Sequence, residues 1–166
     1  MDTFITNVTA VTMTPGAEVL FGVNIGITDG KIEFISKKVP EELPQTIIEG
    51  TGMVAMPGLI NCHTHLATSV LRCFTDDLSN KEALEALLQK EARMDSRSAK
   101  AAATLSIAEC LRFGVTSVSD LYYYPDATAK AVAETGIKGN LALSAYRFVD
   151  ECEEFDFETD EQCREL

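Results

Sequence analysis

Residues 56–66 read Met56-Pro-Gly-Leu-Ile-Asn-Cys-His-Thr-His-Leu66, and they decide how the rest of the chain is read. Pro57-Gly58 is a turn signal. Leu59-Ile-Asn-Cys62 is a short, mostly apolar run suited to a strand, and His63 and His65 stand at its carboxyl end. Side chains two apart on a strand share a face, and the rise is about 3.3 Å per residue. The two imidazoles therefore stand side by side, close enough to converge on one ion at the ~2.0–2.1 Å of a zinc–nitrogen bond. They are the only histidines among 166 residues. A random pair would show this spacing roughly one time in eighty, the false-positive risk that any short motif carries. A pair of polar residues hydrogen-bonded at a strand end has the same spacing. The carboxyl end of a strand is nonetheless where parallel α/β folds place their chemistry.

Downstream of residue 58 the pattern alternates strand with helix. Residues 98–113 form an Ala-rich helical stretch, capped by Ser96 or Ser98 and stopped by Gly114. Val115-Thr-Ser-Val-Ser-Asp-Leu-Tyr122 reads as a second strand. Asp126 can cap a helix over 127–135 that ends at Gly136, and 140–146 reads as a third strand. Strand–helix–strand–helix–strand implies parallel pairing and right-handed crossovers. The segment 66–95, between the histidines and the first long helix, is long enough to shape a substrate pocket.

Upstream, residues 1–57 form a first unit of another kind. Phe4–Met13 is rich in β-branched residues, Pro15-Gly16 interrupts it, and Val19–Ile27 resumes. Asp29-Gly30 is a hairpin turn leading into Lys31–Ile35. The spacer 36–45 holds two prolines, and Thr46–Glu49 and Met53–Ala55 read as further strand. The expectation is a small antiparallel β unit.

The runs Gly52-Met-Val-Ala-Met-Pro-Gly-Leu-Ile-Asn-Cys-His-Thr-His-Leu66 and Thr68-Ser-Val-Leu-Arg-Cys-Phe-Thr-Asp-Asp-Leu78 resemble the amidohydrolase superfamily of metal-dependent hydrolases. They are most similar to the branch that deaminates S-adenosylhomocysteine, methylthioadenosine and related purines. The resemblance implies an α/β fold, a (β/α)8 TIM-type barrel, preceded by an antiparallel β-sandwich unit that strands from the far C-terminus complete. It implies a divalent metal, zinc foremost, with His63 and His65 as two ligands, and a small-molecule substrate. Glu91 corresponds to a family glutamate that hydrogen-bonds substrate; its neighbours Glu82, Glu85 and Lys90 equally suit a solvated helix face. Arg72, Asp76 and Asp77 follow the family's loop pattern. The chain departs from the family in having no Trp near Ala83, and Arg147 is only a loose counterpart of the family arginine after the third strand.

Two further histidines, a glutamate and an aspartate would belong on later strands, and none of the required histidines exists here. A barrel takes ~200–250 residues, whereas 108 follow Gly58. The expectation is therefore about three barrel strands, with residues 58–166 as the N-terminal portion of a hydrolase acting on carbon–nitrogen bonds, inactive as this chain alone. The alternatives are a non-catalytic remnant that serves as a binding or pairing partner, and an amidohydrolase specific for a cyclic amide or a chlorinated substrate. A dinucleotide-binding domain ranks last, since no GxGxxG opens a helix. Cys62 and Thr64 point away from the histidines, so Cys62 is not assigned to the metal. Asp120 ends the second strand, where bracing of the backbone is the expected role.

Composition limits the partners. A net charge of −12 argues against nucleic acid, whose phosphates require clustered Lys and Arg. Residues 150–166 hold nine acidic side chains against one Arg, which reads as a solvated loop and helix start more than as an interaction tail. No apolar run approaches the ~20 residues of a membrane span, and the first residues lack signal-peptide character. Five cysteines, spread out and without a CxxC pair, favour reduced thiols in a cytoplasm. Unpaired strand edges of a partial barrel lead to an expectation of self-association.

Overall fold

A computed structural model of the chain describes residues 1–16 and 18–143. The end of the expected third strand (144–146), Arg147 and the acidic segment 150–166 lie outside the described residues. The chain divides into two compact units, Met1–Pro57 and Gly58–Leu166.

The first unit is one five-stranded sheet. Strands β1 (Thr3–Val11), β2 (Val19–Thr28) and β3 (Lys31–Ser36) form an antiparallel meander. Asp29 and Gly30 both take positive φ, 49° and 69°, as a two-residue hairpin turn of the mirror-image type requires. Strands β4 (Thr46–Glu49) and β5 (Val54–Ala55) both pair with β1, and they do so in parallel. That corrects the expectation of a wholly antiparallel unit. The spacer with Pro40 and Pro44 is too long for a hairpin and returns the chain to the free edge of β1, where a crossover gives parallel pairing. The core of this unit is Val8, Ala10, Val23 and Ile25. Asn7, at φ 49°, makes a bulge in β1 that breaks its alternation; its N–H donates to Asn24 Oδ1 at 2.9 Å.

The second unit carries three parallel strands in chain order: β6 (Leu59–Thr64), β7 (Val115–Tyr122) and β8 (Lys138–Leu143). Gly58 is fixed by packing, because a Cβ there would overlap the Thr116 side chain on β7. After β6 come a 3₁₀ turn (Leu66–Leu71) and helix α1 (Asn80–Glu91), which starts in a capping box between Ser79 and Glu82. Helix α2 (Ser96–Arg112) is capped by Asp95 in place of the expected serines; Asp95 Oδ1 accepts the Ser98 N–H at 2.7 Å. Helix α3 (Pro125–Thr135) begins one residue before the expected Asp126 cap, since Pro125 supplies helical φ at the first position; Gly136, at φ 77°, ends it.

Helix α2 is seated by Ala99, Ala102, Ala103 and Ile107, a stripe at helical spacing. Ile107 packs with Leu66, Val118, Ala131 and Ile137 into the core of the unit. Leu105 and Ala108 lie round the helix from Ile107 and are exposed. Among the described residues, no helix is long and apolar enough to cross a membrane.

Candidate metal and substrate site

His63 is the penultimate residue of β6, and His65 follows the strand directly. Thr64 between them faces β7, where its hydroxyl donates to the Ser119 carbonyl at 3.0 Å and to Asp120 Oδ1 at 2.9 Å. The histidines therefore project from the opposite face. Their Nε2 atoms are 3.2 Å apart, and the rings stand nearly perpendicular with centroids 4.9 Å apart. Two nitrogens bound at ~2.0–2.1 Å to one tetrahedral ion would be about 3.3 Å apart, so the pair fits a shared metal in both donor type and separation.

The tautomer is set by the backbone. His65 Nδ1 lies 2.7 Å from the Leu121 carbonyl, which can only accept, so Nδ1 carries the proton and donates. In the neutral ring Nε2 is then left with its lone pair toward His63, the arrangement that metal-binding histidines use. Both rings are exposed. Among the described residues no group of three or more His, Cys, Asp or Glu converges to complete a metal shell.

The turn that follows is held at several points. Leu66 is 3% exposed; its N–H donates to Asp120 Oδ1 at 2.7 Å, and its carbonyl accepts from Ser106 Oγ of α2 at 2.7 Å. Thr68 Oγ1 donates to the His65 carbonyl at 2.7 Å. Asp120 itself is 3% exposed, and burial pushes its carboxyl above the usual range, against the hydrogen bonds from Leu66 and Thr64. Beside the histidines lies an open groove of about 400 Å³, lined by Asn61, His63, His65, Ser106, Glu109 and Phe113.

Glu91 closes α1, near enough to His65 for the two charges to interact. Burial raises its carboxyl above the ordinary value, opposed by a hydrogen bond with the Tyr122 phenol and by the neighbouring His65. Tyr122 is 4% exposed at the end of β7, with its hydroxyl 3.7 Å from Met94 Sδ, while the Tyr124 hydroxyl donates to the Met94 carbonyl. Met94, Tyr122, Ala67, Ala99 and Ala127 form a second apolar cluster that ties the end of α1 to the end of β7.

Other singled-out residues stay apart from the histidines. Arg72 forms a two-pronged ion pair with Glu109 of α2, at 2.9 and 2.6 Å, and so anchors the 3₁₀ turn. No contact of Asp76 or Asp77 with the site is found among the described residues. Cys62 is exposed on β6. Sequence reasoning passed over Ser106, the Leu121 carbonyl and Tyr122. Its place near the carboxyl end of the strand Val115–Tyr122, where it is the one charged residue, signalled Asp120, whereas nothing local signals Ser106 on its helix.

Residues 54–166 match the family model described as the amidohydrolase family. A 5'-deoxyadenosine deaminase from Methanosarcina mazei is 37% identical over 142 residues, covering 85% of this chain and 33% of that protein. A 5-methylthioadenosine/S-adenosylhomocysteine deaminase from Acetivibrio thermocellus is 34% identical over 154 residues, covering 90% of this chain and 36% of that protein. Among solved structures, an atrazine chlorohydrolase from Arthrobacter aurescens complexed with zinc superposes with a TM-score of 0.78 at 25% identity, covering 92% of this chain and 39% of that one. An adenosine deaminase from Xanthomonas campestris with bound zinc gives 0.73 at 27% identity, covering 83% of this chain and 33% of that one. The chain thus spans about a third of the length of these curated relatives. The likenesses fix the fold class: β6, β7 and β8 with their helices are the first strands of a (β/α)8 barrel that follows a β unit.

Proposed function

The chain belongs to the amidohydrolase family, and from that membership we propose that His63 and His65 are two ligands of a divalent metal, zinc first, in a hydrolase that deaminates a purine or adenosine derivative. One observation carries the reading: the only two histidines of the chain converge to 3.2 Å at the carboxyl end of the first barrel strand, with the His65 tautomer fixed for binding. The names of the curated relatives support deamination, and the zinc in two structural relatives supports the metal. The ion, when bound, would activate water as a Lewis acid toward the ring carbon that bears an amino group.

The remaining work belongs to the chain's own groups. Leu121 holds the proton of His65 on Nδ1, so that Nε2 stays free to bind. Glu91, half-buried against Tyr122, is the candidate for hydrogen-bonding substrate. The reaction adds water across the carbon–nitrogen bond and releases ammonia, and its acid–base steps typically contribute 10²–10⁴-fold each. Residues that would supply those steps are not among the groups gathered here, so the 166-residue polypeptide by itself is proposed to be inactive.

Ammonia release decides the matter. The chain is assayed with zinc on 5'-deoxyadenosine, methylthioadenosine and S-adenosylhomocysteine, alone and with a polypeptide matching the remaining two-thirds of the M. mazei relative. Turnover is expected only in the mixture, and it should vanish in His63→Ala. Dechlorination or cyclic-amide hydrolysis in its place would support the second reading, favoured by the likeness to the atrazine chlorohydrolase. Formation of the mixed complex without turnover on any substrate would support a pairing role instead.

A further inference from the structure

The ladder between β6 and β7 is interrupted where it matters most. Its register shifts between Asn61 and Thr64, the stretch that contains His63. Pairing resumes only at Thr64, opposite Asp120, so the ladder holds the end of β6 at a single register position. One side-chain atom adds to that hold. Asp120 Oδ1 accepts both the Thr64 hydroxyl, at 2.9 Å, and the Leu66 N–H, at 2.7 Å. Thr64 and Leu66 are the two neighbours of His65, and Thr64 is also the link between the histidines. The same strand offers the Leu121 carbonyl to His65 Nδ1. Asp120 thus sets where the backbone on both sides of His65 lies relative to the carbonyl that orients its ring.

We propose that Asp120 is a positioning residue for the histidine pair, fixing the separation and facing of His63 and His65 through Thr64 and Leu66 as a hydrogen-bond acceptor and not as a charge. The proposal rests on the reading of the pair as metal ligands. Two features favour the acceptor role. Asp120 lies opposite Thr64 in the register and so shares that residue's face of the sheet, with His65 near enough to interact with its charge only as the smallest of the influences on it. Its Oδ1 is already committed to two donors within 3 Å. An asparagine offers an oxygen of the same shape in the same place, whereas an alanine leaves the Leu66 N–H without its acceptor and the Thr64 hydroxyl with the Ser119 carbonyl alone.

The 166-residue chain and its Asp120→Asn, Asp120→Ala and Thr64→Val variants are titrated with cobalt(II), read by its visible absorption. In the metal-free proteins the His65 tautomer is read from imidazole nitrogen shifts and the Leu66 amide by hydrogen exchange. Circular dichroism confirms that each variant is folded. Asp120→Asn should keep cobalt affinity within about twofold, the Nδ1–H tautomer and a protected Leu66 amide. Asp120→Ala should weaken cobalt binding by about tenfold or more, the usual cost of losing a group behind a metal ligand, mix the tautomers and speed Leu66 exchange. Thr64→Val, which keeps the carboxylate and the Leu66 bond, should fall between, and it serves as the test where Asp120→Ala does not fold. An Asn variant as poor as Ala would mean that the charge is what matters, and the proposal would be wrong. So would an Ala or Val variant that binds cobalt like the parent. Should the parent bind no cobalt, the metal reading of the pair fails. The positioning role is then judged on tautomer and exchange alone, and an unchanged Asp120→Ala overturns it.

Discussion

Two imidazoles on one strand give a number for zinc. Complete structural zinc sites with four protein donors are worth about 10–16 kcal/mol at neutral pH. This chain gathers two donors, and among the described residues no cluster of three or more ligand-type side chains exists to add to them. Half of that range is about 5–8 kcal/mol, which corresponds to a dissociation constant from roughly 1 µM to a few hundred µM. The fixed tautomer of His65 and the 3.2 Å separation place the expectation toward the tight end of the range, because little remains to be ordered on binding. Titration calorimetry on the purified chain should find one weak zinc site. His63→Ala, which leaves a single imidazole, should weaken it by at least about tenfold. A nanomolar constant would mean that donors outside the described residues complete the shell. An unchanged constant in His63→Ala would show that the convergence of the two rings has nothing to do with metal.

Four further outcomes follow from the packing and the charges. Ile107 is fully buried at the centre of the second unit, so Ile107→Ala should cost about 2–5 kcal/mol and Ile107→Val about 0.5–1.5 in urea unfolding; a cost below about 0.5 for the alanine would contradict the packing. Thr128 is 0% exposed with an unpartnered hydroxyl, so Thr128→Val should raise stability by about 1 kcal/mol, and a lower melting temperature would show that the hydroxyl is bonded after all. The Asp95 carboxyl is held below its usual value by the Ser98 hydrogen bonds; its contribution is present above the ordinary carboxylate pKa of 3.8 and is lost as pH falls through the lower folded value. Asp95→Ala should therefore be less stable than the parent at pH 7, with the two converging in acid, and a gap that widens in acid would reverse the sign. Finally, β6 and β8 are the outer strands of a three-stranded sheet among the described residues, so light scattering should find self-association; a monodisperse monomer with strongly protected amides along Val115–Asp120 would show that the sheet is self-sufficient.

What could be read from the sequence was local in origin. The histidine pair and the Asp29-Gly30 hairpin follow from a two-residue period and from a turn that demands two positive φ angles. Strands β6 and β7 were legible because turn residues bound them. The start of α2 was misplaced because Asp95, Ser96 and Ser98 are all good caps. They differ only in which residue last keeps an extended backbone, and Asp95 does so at φ −111° and ψ 168°. The parallel pairing of β4 and β5 with β1 could not be read at all. Each segment has a strand's pattern, and nothing in that pattern names the partner.

The site shows the same division at the scale of single atoms. Which residues can bind a metal is written in five consecutive positions, 61–65. How they are held is written 40 to 56 residues away, in Ser106, Asp120 and Leu121. Without β7, the run Asn61–His65 is a flexible stretch whose two imidazoles must be ordered at the moment of binding. The entropy of that ordering, about 1–2 kcal/mol for each fixed backbone residue, would offset much of what two nitrogen donors contribute. The motif is thus present in any segment that contains residues 61–65, whereas the site exists only once β7 has docked beside β6. Docking of β7 is therefore expected to order the histidine pair. Mutations that loosen β7 should therefore weaken metal binding even where they touch neither ring.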